Sequence, residues 1–135
     1  MFLTACHARP HYYLYVFYAK TCPVCQSFIQ VVIPQLQDEY KESMNVTLLD
    51  IDIEENRDRY AKICSLLDSY YVNDQSGSVP FIVLDGYFAK VGYEIGEDQE
   101  IIKFIHQMIH QQDISIQLKD VYYFKKGKSL NGGKK

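Results

Sequence analysis

The sequence predicts an α/β fold in which a central mixed β-sheet carries helices on both faces. Segments with the aromatic and β-branched composition of strands alternate with segments of helical apolar periodicity, in the order β-α-β-α-β-β-α. The two strand segments before the last helix are separated by Asp85-Gly86, a dipeptide typical of a tight hairpin turn. Strands separated by helices are most simply parallel, whereas hairpin strands are antiparallel, so we expect a mixed sheet.

The first strand is predicted at residues 12–18, where apolar and aromatic residues run almost without interruption, as in a buried strand. A helix from about 23 to 42 follows. It begins at Pro23, a residue that suits a first helical turn, and it contains Pro34, where we expect a kink. Its inward positions are predicted to be Phe28, Ile29, Val32, Ile33 and Leu36.

The remaining elements continue this alternation. They are a strand at 46–53, a helix at about 57–70 after the polar stretch 54–56, hairpin strands at 80–85 and 87–93, and an amphipathic helix at about 97–112. The inward positions of these two helices are predicted to be Tyr60, Ile63, Cys64 and Leu67, and then Ile101, Ile102, Ile105 and Ile109.

We divide the chain into a domain at residues 1–113, with its core at 12–112, and a C-terminal extension at 114–135. The extension begins with apolar/polar alternation over 114–124, which favours an edge strand. Its end, from Lys125 onward, is basic and rich in glycine, and we expect it to be mobile.

Composition excludes several classes of protein. A chain of 135 residues with 47% apolar residues suits a single domain with a core of its own. The net charge of −3 gives no indication of nucleic-acid binding, and no apolar run approaches the length of a membrane helix. The compartment stays open: the chain would be cytoplasmic, or extracytoplasmic if a leader has been trimmed from its N-terminus.

The motif Cys22-Pro23-Val24-Cys25 lies where the predicted first strand ends and the first helix begins. Two cysteines with this spacing at a helix start can close a small disulfide ring. The positive end of the helix favours the thiolate of Cys22, whereas Cys25, one turn inside the helix, would be more buried. An accessible thiolate with a second thiol beside it suits thiol–disulfide exchange, with Cys25 as the resolving thiol.

This element order, with a cysteine pair after the first strand and a proline before the hairpin, resembles the thioredoxin superfamily. The resemblance covers about residues 12–112. The segments that carry it are Phe17–Cys22, Ile33–Leu36, Leu49–Asn56, Val79–Pro80 and Lys90–Gly92.

The resemblance implies a thioredoxin-like fold and a peptide-binding groove beside the cysteines. The Val79–Pro80 bond would be cis and packed against the Cys22 sulfur, and Val79 would offer its main chain to an extended peptide. The alternative is a proline that simply opens a strand. The other residues expected to contact substrate are Thr21, Pro23 and Val24.

Four positions distinguish the chain from thioredoxin itself. Thr21 stands where thioredoxin has tryptophan, and Pro23-Val24 stands where it has Gly-Pro. Val16 stands where thioredoxin has a buried aspartate that is thought to help proton transfer, so that proton route is not carried over.

A zinc site is the main structural alternative for the cysteine pair, since Cys-x-x-Cys also binds metal. A second such motif is absent, although His106 and His110, one helical turn apart, could supply two nitrogens. They lie at the edge of the apolar stripe and beyond it, where solvated histidines are common. We therefore expect a redox pair, with no metal site and no cofactor. Cys64 is predicted to be a core residue, and Cys6 to lie in a loose segment.

Three functions fit this pattern. The first is a thiol–disulfide oxidoreductase that acts on protein or peptide disulfides and dithiols, with an electron donor or acceptor that the sequence does not name. The second is a non-catalytic binding module that uses the groove at Val79–Pro80. The third is a glutathione-dependent, glutaredoxin-like enzyme. We expect the first, as a monomer that binds no nucleic acid and has no membrane span.

Overall fold

The computed structural model describes residues 11–68 and 77–131. In chain order the elements are β1 (Tyr12–Tyr18), α1 (Pro23–Tyr40), β2 (Met44–Asp50), α2 (Glu54–Ser65), β3 (Phe81–Leu84), β4 (Phe88–Val91), α3 (Asp98–Ile109) and β5 (Val121–Tyr123). A short 3-10 turn, Lys41–Ser43, joins α1 to β2. The predicted α/β class with a mixed sheet is confirmed, but the order gains a fifth strand at its end.

The five strands lie in the order β2-β1-β3-β4-β5. β1 and β2 are parallel, and every other neighbouring pair is antiparallel. The expectation that all strands separated by helices are parallel is therefore wrong for β3. The reason lies in the connection after α2: Leu67 lies beside Phe124 near the start of β4, whereas Ser78 is held beside α2 at the opposite end of the sheet. β3 therefore begins at the end of the sheet opposite to Leu67.

Apolar side chains cover both faces of the sheet. On one face, which we call the α1/α3 face, residues such as Leu14, Val16 and Ile82 pack against α1 and α3. On the other, the α2 face, residues such as Phe17 and Phe81 pack against α2. β3 and β4 are buried along their whole length, which explains why they show no alternation in sequence.

The helices bury most of the predicted residues but differ at their ends. In α1, Phe28, Val32, Ile33 and Leu36 are buried as predicted, whereas Ile29 is only half-buried. In α2 the predicted inward residues Tyr60, Ile63 and Cys64 are buried, with Leu67 just beyond the helix. α2 begins at Glu54 rather than at residue 57, because Glu54 and Glu55 favour the positive end of a helix and suit a first turn. None of the helices in the described ranges is long and apolar enough to cross a membrane.

The predicted extension contributes to the sheet. β5 pairs with β4, with Phe88 opposite Tyr123, and forms the edge strand expected between 114 and 124, although it is confined to three residues. Beyond it, the main-chain N–H groups of Leu130 and Asn131 each donate to a different carboxylate oxygen of Asp85, both at 2.7 Å. Asp85 is 1% exposed, so a buried carboxylate in the β3–β4 turn holds the chain as far as residue 131. The domain division at 113 stays a prediction.

We call the two hydrogen bonds from the Leu130 and Asn131 N–H groups to Asp85 the Asp85 clamp, and substitution of Asp85 tests it. Asp85→Asn keeps the shape of the side chain but removes its charge and one of the two acceptor oxygens. A hydrogen bond to a charged group contributes about 1.5–3 kcal/mol, so we expect the free energy of unfolding in urea to fall by about that amount. Amide hydrogen exchange at Leu130 and Asn131 should accelerate at the same time.

Asp113→Asn is the matched control, because Asp113 is exposed. It should change neither measurement. If Asp85→Asn has the same free energy of unfolding as the wild type, and hydrogen exchange at Leu130 and Asn131 is unchanged, Asp85 does not stabilise this segment.

Candidate functional site

Cys22 is the N-cap of α1. β1 ends at Tyr18, and a turn closed by the hydrogen bond from Cys22 N to Ala19 O at 3.1 Å leads into the helix. Pro23 occupies the first helical position, where its missing N–H costs nothing. Cys22 itself keeps extended backbone angles, with φ −101° and ψ 103°, so its side chain points back over the first turn.

Cys22 and Cys25 form a disulfide, with their Cα atoms 5.2 Å apart. The Cys22 sulfur also accepts a hydrogen bond from the Cys25 main-chain N–H at 3.1 Å. Cys25 is fully buried, whereas Cys22 is half-buried. The more accessible sulfur is therefore the one at the positive end of the helix, as the sequence predicts.

The Val79–Pro80 peptide bond is cis, as the resemblance implied. Pro80 is buried and Val79 half-buried. Because Phe81 pairs with Phe17 in the sheet, residues 79 and 80 lie at the same end of the sheet as the turn that leads to Cys22. Among the described residues, none forms a hydrogen bond with the Val79 main chain, while the Pro80 carbonyl accepts from Gly92 N at 2.8 Å.

Tyr60 fixes the segment that precedes this bond. Its hydroxyl donates to the Ser78 carbonyl at 2.7 Å, and its ring stacks on Phe81, with the ring centroids 4.1 Å apart and the planes 16° apart. Sequence reasoning places Tyr60 on the inner face of α2 but assigns it no role at the site. The available signal was that a tyrosine, unlike a phenylalanine, needs a polar partner when it is buried.

The segment that follows β4 borders the start of α1. Tyr93 packs its ring edgewise on Phe28, with the centroids 5.2 Å apart. Burial raises the pKa of the Tyr93 phenol, Asp98 and Glu97 raise it further, and a hydrogen bond with Ser27 offsets part of the shift. The phenol therefore stays protonated at neutral pH, and the ring and hydroxyl of Tyr93 both contact the first turns of α1.

A buried ion pair lies beside this segment. Lys90 is 3% exposed, its ammonium donates to the Gly92 carbonyl at 2.9 Å, and it lies 3.6 Å from a carboxylate oxygen of Glu97. Sequence reasoning missed this pair. The sequence feature that could have revealed the pair is Lys90 itself, the single charged residue in β4, a strand that is otherwise apolar and buried.

The remaining predicted site residues are placed as follows. Thr21 and Pro23 are exposed on either side of Cys22, so the structure brings these three residues to one surface. Val24 is half-buried and packs against the α1/α3 face, so part of its side chain belongs to the core. Cys64 is buried on the α2 face, and Cys6 lies outside the described residues.

The cysteine pair and the two histidines are far apart. His106 contacts Glu39 in the last turn of α1, and Glu39 lies about 21 Å along the helix axis from Cys25 at 1.5 Å per residue. One ion therefore cannot bind Cys22, Cys25, His106 and His110 together. Within residues 11–68 and 77–131, no group of three or more histidine, cysteine, aspartate or glutamate side chains is arranged to hold a metal ion.

Comparison with known proteins does not assign the chain to a family. No model of a known protein family matches the chain, and no curated protein is significantly similar to it in sequence.

Proposed function

We propose that the chain is a thiol–disulfide oxidoreductase of the thioredoxin-like type, which exchanges disulfides with protein substrates through Cys22 and Cys25. The observation that carries this proposal is the asymmetry of the pair. Cys22 lies half-buried at the helix N-terminus with a main-chain N–H directed at its sulfur, and Cys25 is fully buried behind it. Exchange needs these two properties, an accessible stabilised thiolate and a nearby resolving thiol.

The reaction proceeds in two balanced steps. In the reducing direction the Cys22 thiolate attacks one sulfur of a substrate disulfide, which forms a mixed disulfide and releases the other substrate sulfur as a thiolate. The Cys25 thiolate then attacks the Cys22 sulfur and releases the second substrate thiolate, which leaves the Cys22–Cys25 disulfide. Two electrons pass to the substrate. A dithiol donor returns the pair to its reduced form, and the reverse sequence oxidises a dithiol substrate.

The main chain next to Pro80 is the proposed peptide contact. Val79 directly precedes Pro80, whose carbonyl is hydrogen-bonded to Gly92 at the end of the sheet. None of the described residues forms a hydrogen bond with the main-chain N–H or C=O of Val79. An extended peptide can pair with such a segment as an added strand. Exposed apolar side chains at the same end of the sheet, Ile53 at 52% and Ile95 at 74% exposure, favour an apolar stretch in that peptide.

The thioredoxin-like fold belongs to this proposal as well. It is supported by the sequential order from β1 to α3, by a cysteine pair at the start of the first helix and by the proline before β3. These are the features on which the sequence resemblance rests.

Separate substitution of the two cysteines tests the proposal. We expect Cys22→Ser to lose all catalysed reduction of insulin by dithiothreitol, because the attacking sulfur is gone. Cys25→Ser should retain the first attack but not the second, and should therefore accumulate a mixed disulfide with a disulfide-containing peptide, detected as a mass increase on Cys22.

Cys64→Ser is the control and should keep the wild-type activity. Two results would contradict the proposal. If neither the wild-type protein nor Cys25→Ser reacts with any protein disulfide, the chain is a binding module. If Cys25→Ser retains full turnover with glutathione, the enzyme is glutaredoxin-like.

Tyr60→Phe tests the contact that holds the segment before Val79. The substitution preserves the ring stacking on Phe81 but removes the hydrogen bond to Ser78. The loss of one hydrogen bond of about 1 kcal/mol should raise the KM for a protein disulfide about fivefold, because the peptide-binding main chain is less well fixed. The rate with a small aromatic disulfide, which needs no groove, should not change.

Tyr13→Phe is the matched control, since Tyr13 lies on the same face of the sheet but at its opposite end. An equal loss with the protein and the small disulfide would show that Tyr60 acts on the sulfurs or on global stability rather than on peptide binding.

A further inference from the structure

His106 lies in the last turn of α3 and contacts the end of α1, and His110 is the C-cap residue of α3. His106 and His110 are one turn apart, and their ring centroids are 4.2 Å from each other with the planes tilted by 48°. The His106 side chain is 39% exposed, and His110 is exposed. The two rings therefore lie side by side within reach of solvent.

The contacts of His106 fix which of its nitrogens can bind a ligand. Its Nδ1 lies 3.0 Å from a carboxylate oxygen of Glu39 and 3.2 Å from the hydroxyl of Tyr40. A carboxylate has no proton to give, so the shorter contact requires the proton on Nδ1, which donates to Glu39. In the neutral ring the lone pair is then on Nε2.

Tyr40 supports this arrangement. Its hydroxyl lies 3.2 Å from Nδ1 of His106, so Tyr40 and Glu39 both contact this nitrogen and leave Nε2 as the nitrogen available to a metal ion. Glu39 and Tyr40 are the last two residues of α1, whereas His106 lies in the last turn of α3. The packing of the two helices thus holds the orientation of His106.

A histidine that ligates a metal almost always donates its other ring N–H to a carboxylate or carbonyl, which fixes the tautomer and raises its basicity. Two histidines at positions i and i+4 of a helix can direct their nitrogens to one ion. Here Nδ1 of His106 faces the Glu39 carboxylate, and His110 follows four positions later at the C-cap of α3, with its ring 4.2 Å from that of His106. We propose that His106 and His110 form a two-histidine chelate for a divalent transition-metal ion such as Zn²⁺, with Glu39 orienting His106 and water completing the coordination.

The choice of ion follows from the donor set. Imidazole nitrogens suit Zn²⁺, Cu²⁺ and Ni²⁺, whereas Mg²⁺ and Ca²⁺ prefer oxygen ligands. With two protein ligands the affinity is limited and open positions remain for an external group. The site lies about 21 Å along α1 from Cys25 and does not depend on the proposed redox function.

The test is a Zn²⁺ titration of the full chain in its Cys22–Cys25 disulfide form, followed by ¹⁵N NMR of the histidine rings. This readout identifies the ligating nitrogens, so thiol binding elsewhere is not confused with it. We expect one equivalent of Zn²⁺ to shift the Nε2 signal of His106 and one ring-nitrogen signal of His110, while the Nδ1 of His106 remains protonated. Saturating Zn²⁺ should also raise the melting temperature.

Three substitutions assign the ligands. His106→Gln and His110→Gln should each weaken Zn²⁺ binding about tenfold or more, and each should abolish the rise in melting temperature. Glu39→Gln should leave both ligands in place but weaken binding about tenfold, the usual effect of losing a carboxylate behind a ligating histidine. His110 is exposed, so its variant is informative even if His106→Gln destabilises the helix contact.

His11→Gln is the matched control, because His11 is exposed and lies at the start of β1, near the same end of the molecule. It should bind Zn²⁺ as the wild type does. Unchanged affinity in His106→Gln or in His110→Gln, an equal loss in His11→Gln, or loss of the proton from Nδ1 of His106 when Zn²⁺ binds would each overturn the two-histidine chelate.

Discussion

The packing of α1 against the sheet is the interaction on which the candidate site depends. Cys25, Phe28, Val32, Ile33 and Leu36 form a continuous buried stripe along the helix. Burying side chains of this size contributes about 1.5–3 kcal/mol each, far more than a single exposed hydrogen bond. That stripe fixes the rotation of α1, and the rotation decides that Cys25 points into the core while Cys22 stays at the surface.

Local chemistry made the cysteine site predictable. The apolar run of β1 and the preference of proline for a first helical turn both act within a few residues. They therefore place Cys22 at a helix start without knowledge of the rest of the chain. The direction of β3 could not be read in the same way, because it depends on the end of the sheet at which Ser78 lies, and the contact that holds Ser78 there comes from the distant Tyr60.

Two of the contacts that sequence reasoning missed join residues far apart in the chain. Tyr60 bonds Ser78 across 18 positions, and the Asp85 clamp joins residues 45 and 46 positions apart. Lys90 is buried because Glu97 and the Gly92 carbonyl receive its ammonium, and those partners exist only after the chain has turned toward α3. A sequence pattern identifies such polar residues as unusual for a buried strand or turn, but it does not give their partners.

The clamp at Asp85 also decides where the chain can be shortened. Sequence composition suggests a boundary near residue 113 or 125, yet the two N–H donors for a carboxylate that is 1% exposed are at Leu130 and Asn131. A protein cut before Leu130 would keep the buried Asp85 carboxylate in the β3–β4 turn but lose both of its main-chain N–H donors. The unpaired carboxylate would then destabilise the β3–β4 hairpin beside the core, rather than only the shortened C-terminus. A fragment cut before Leu130 is therefore expected to be less stable than one that extends to residue 131, and fusion partners are better placed after that position.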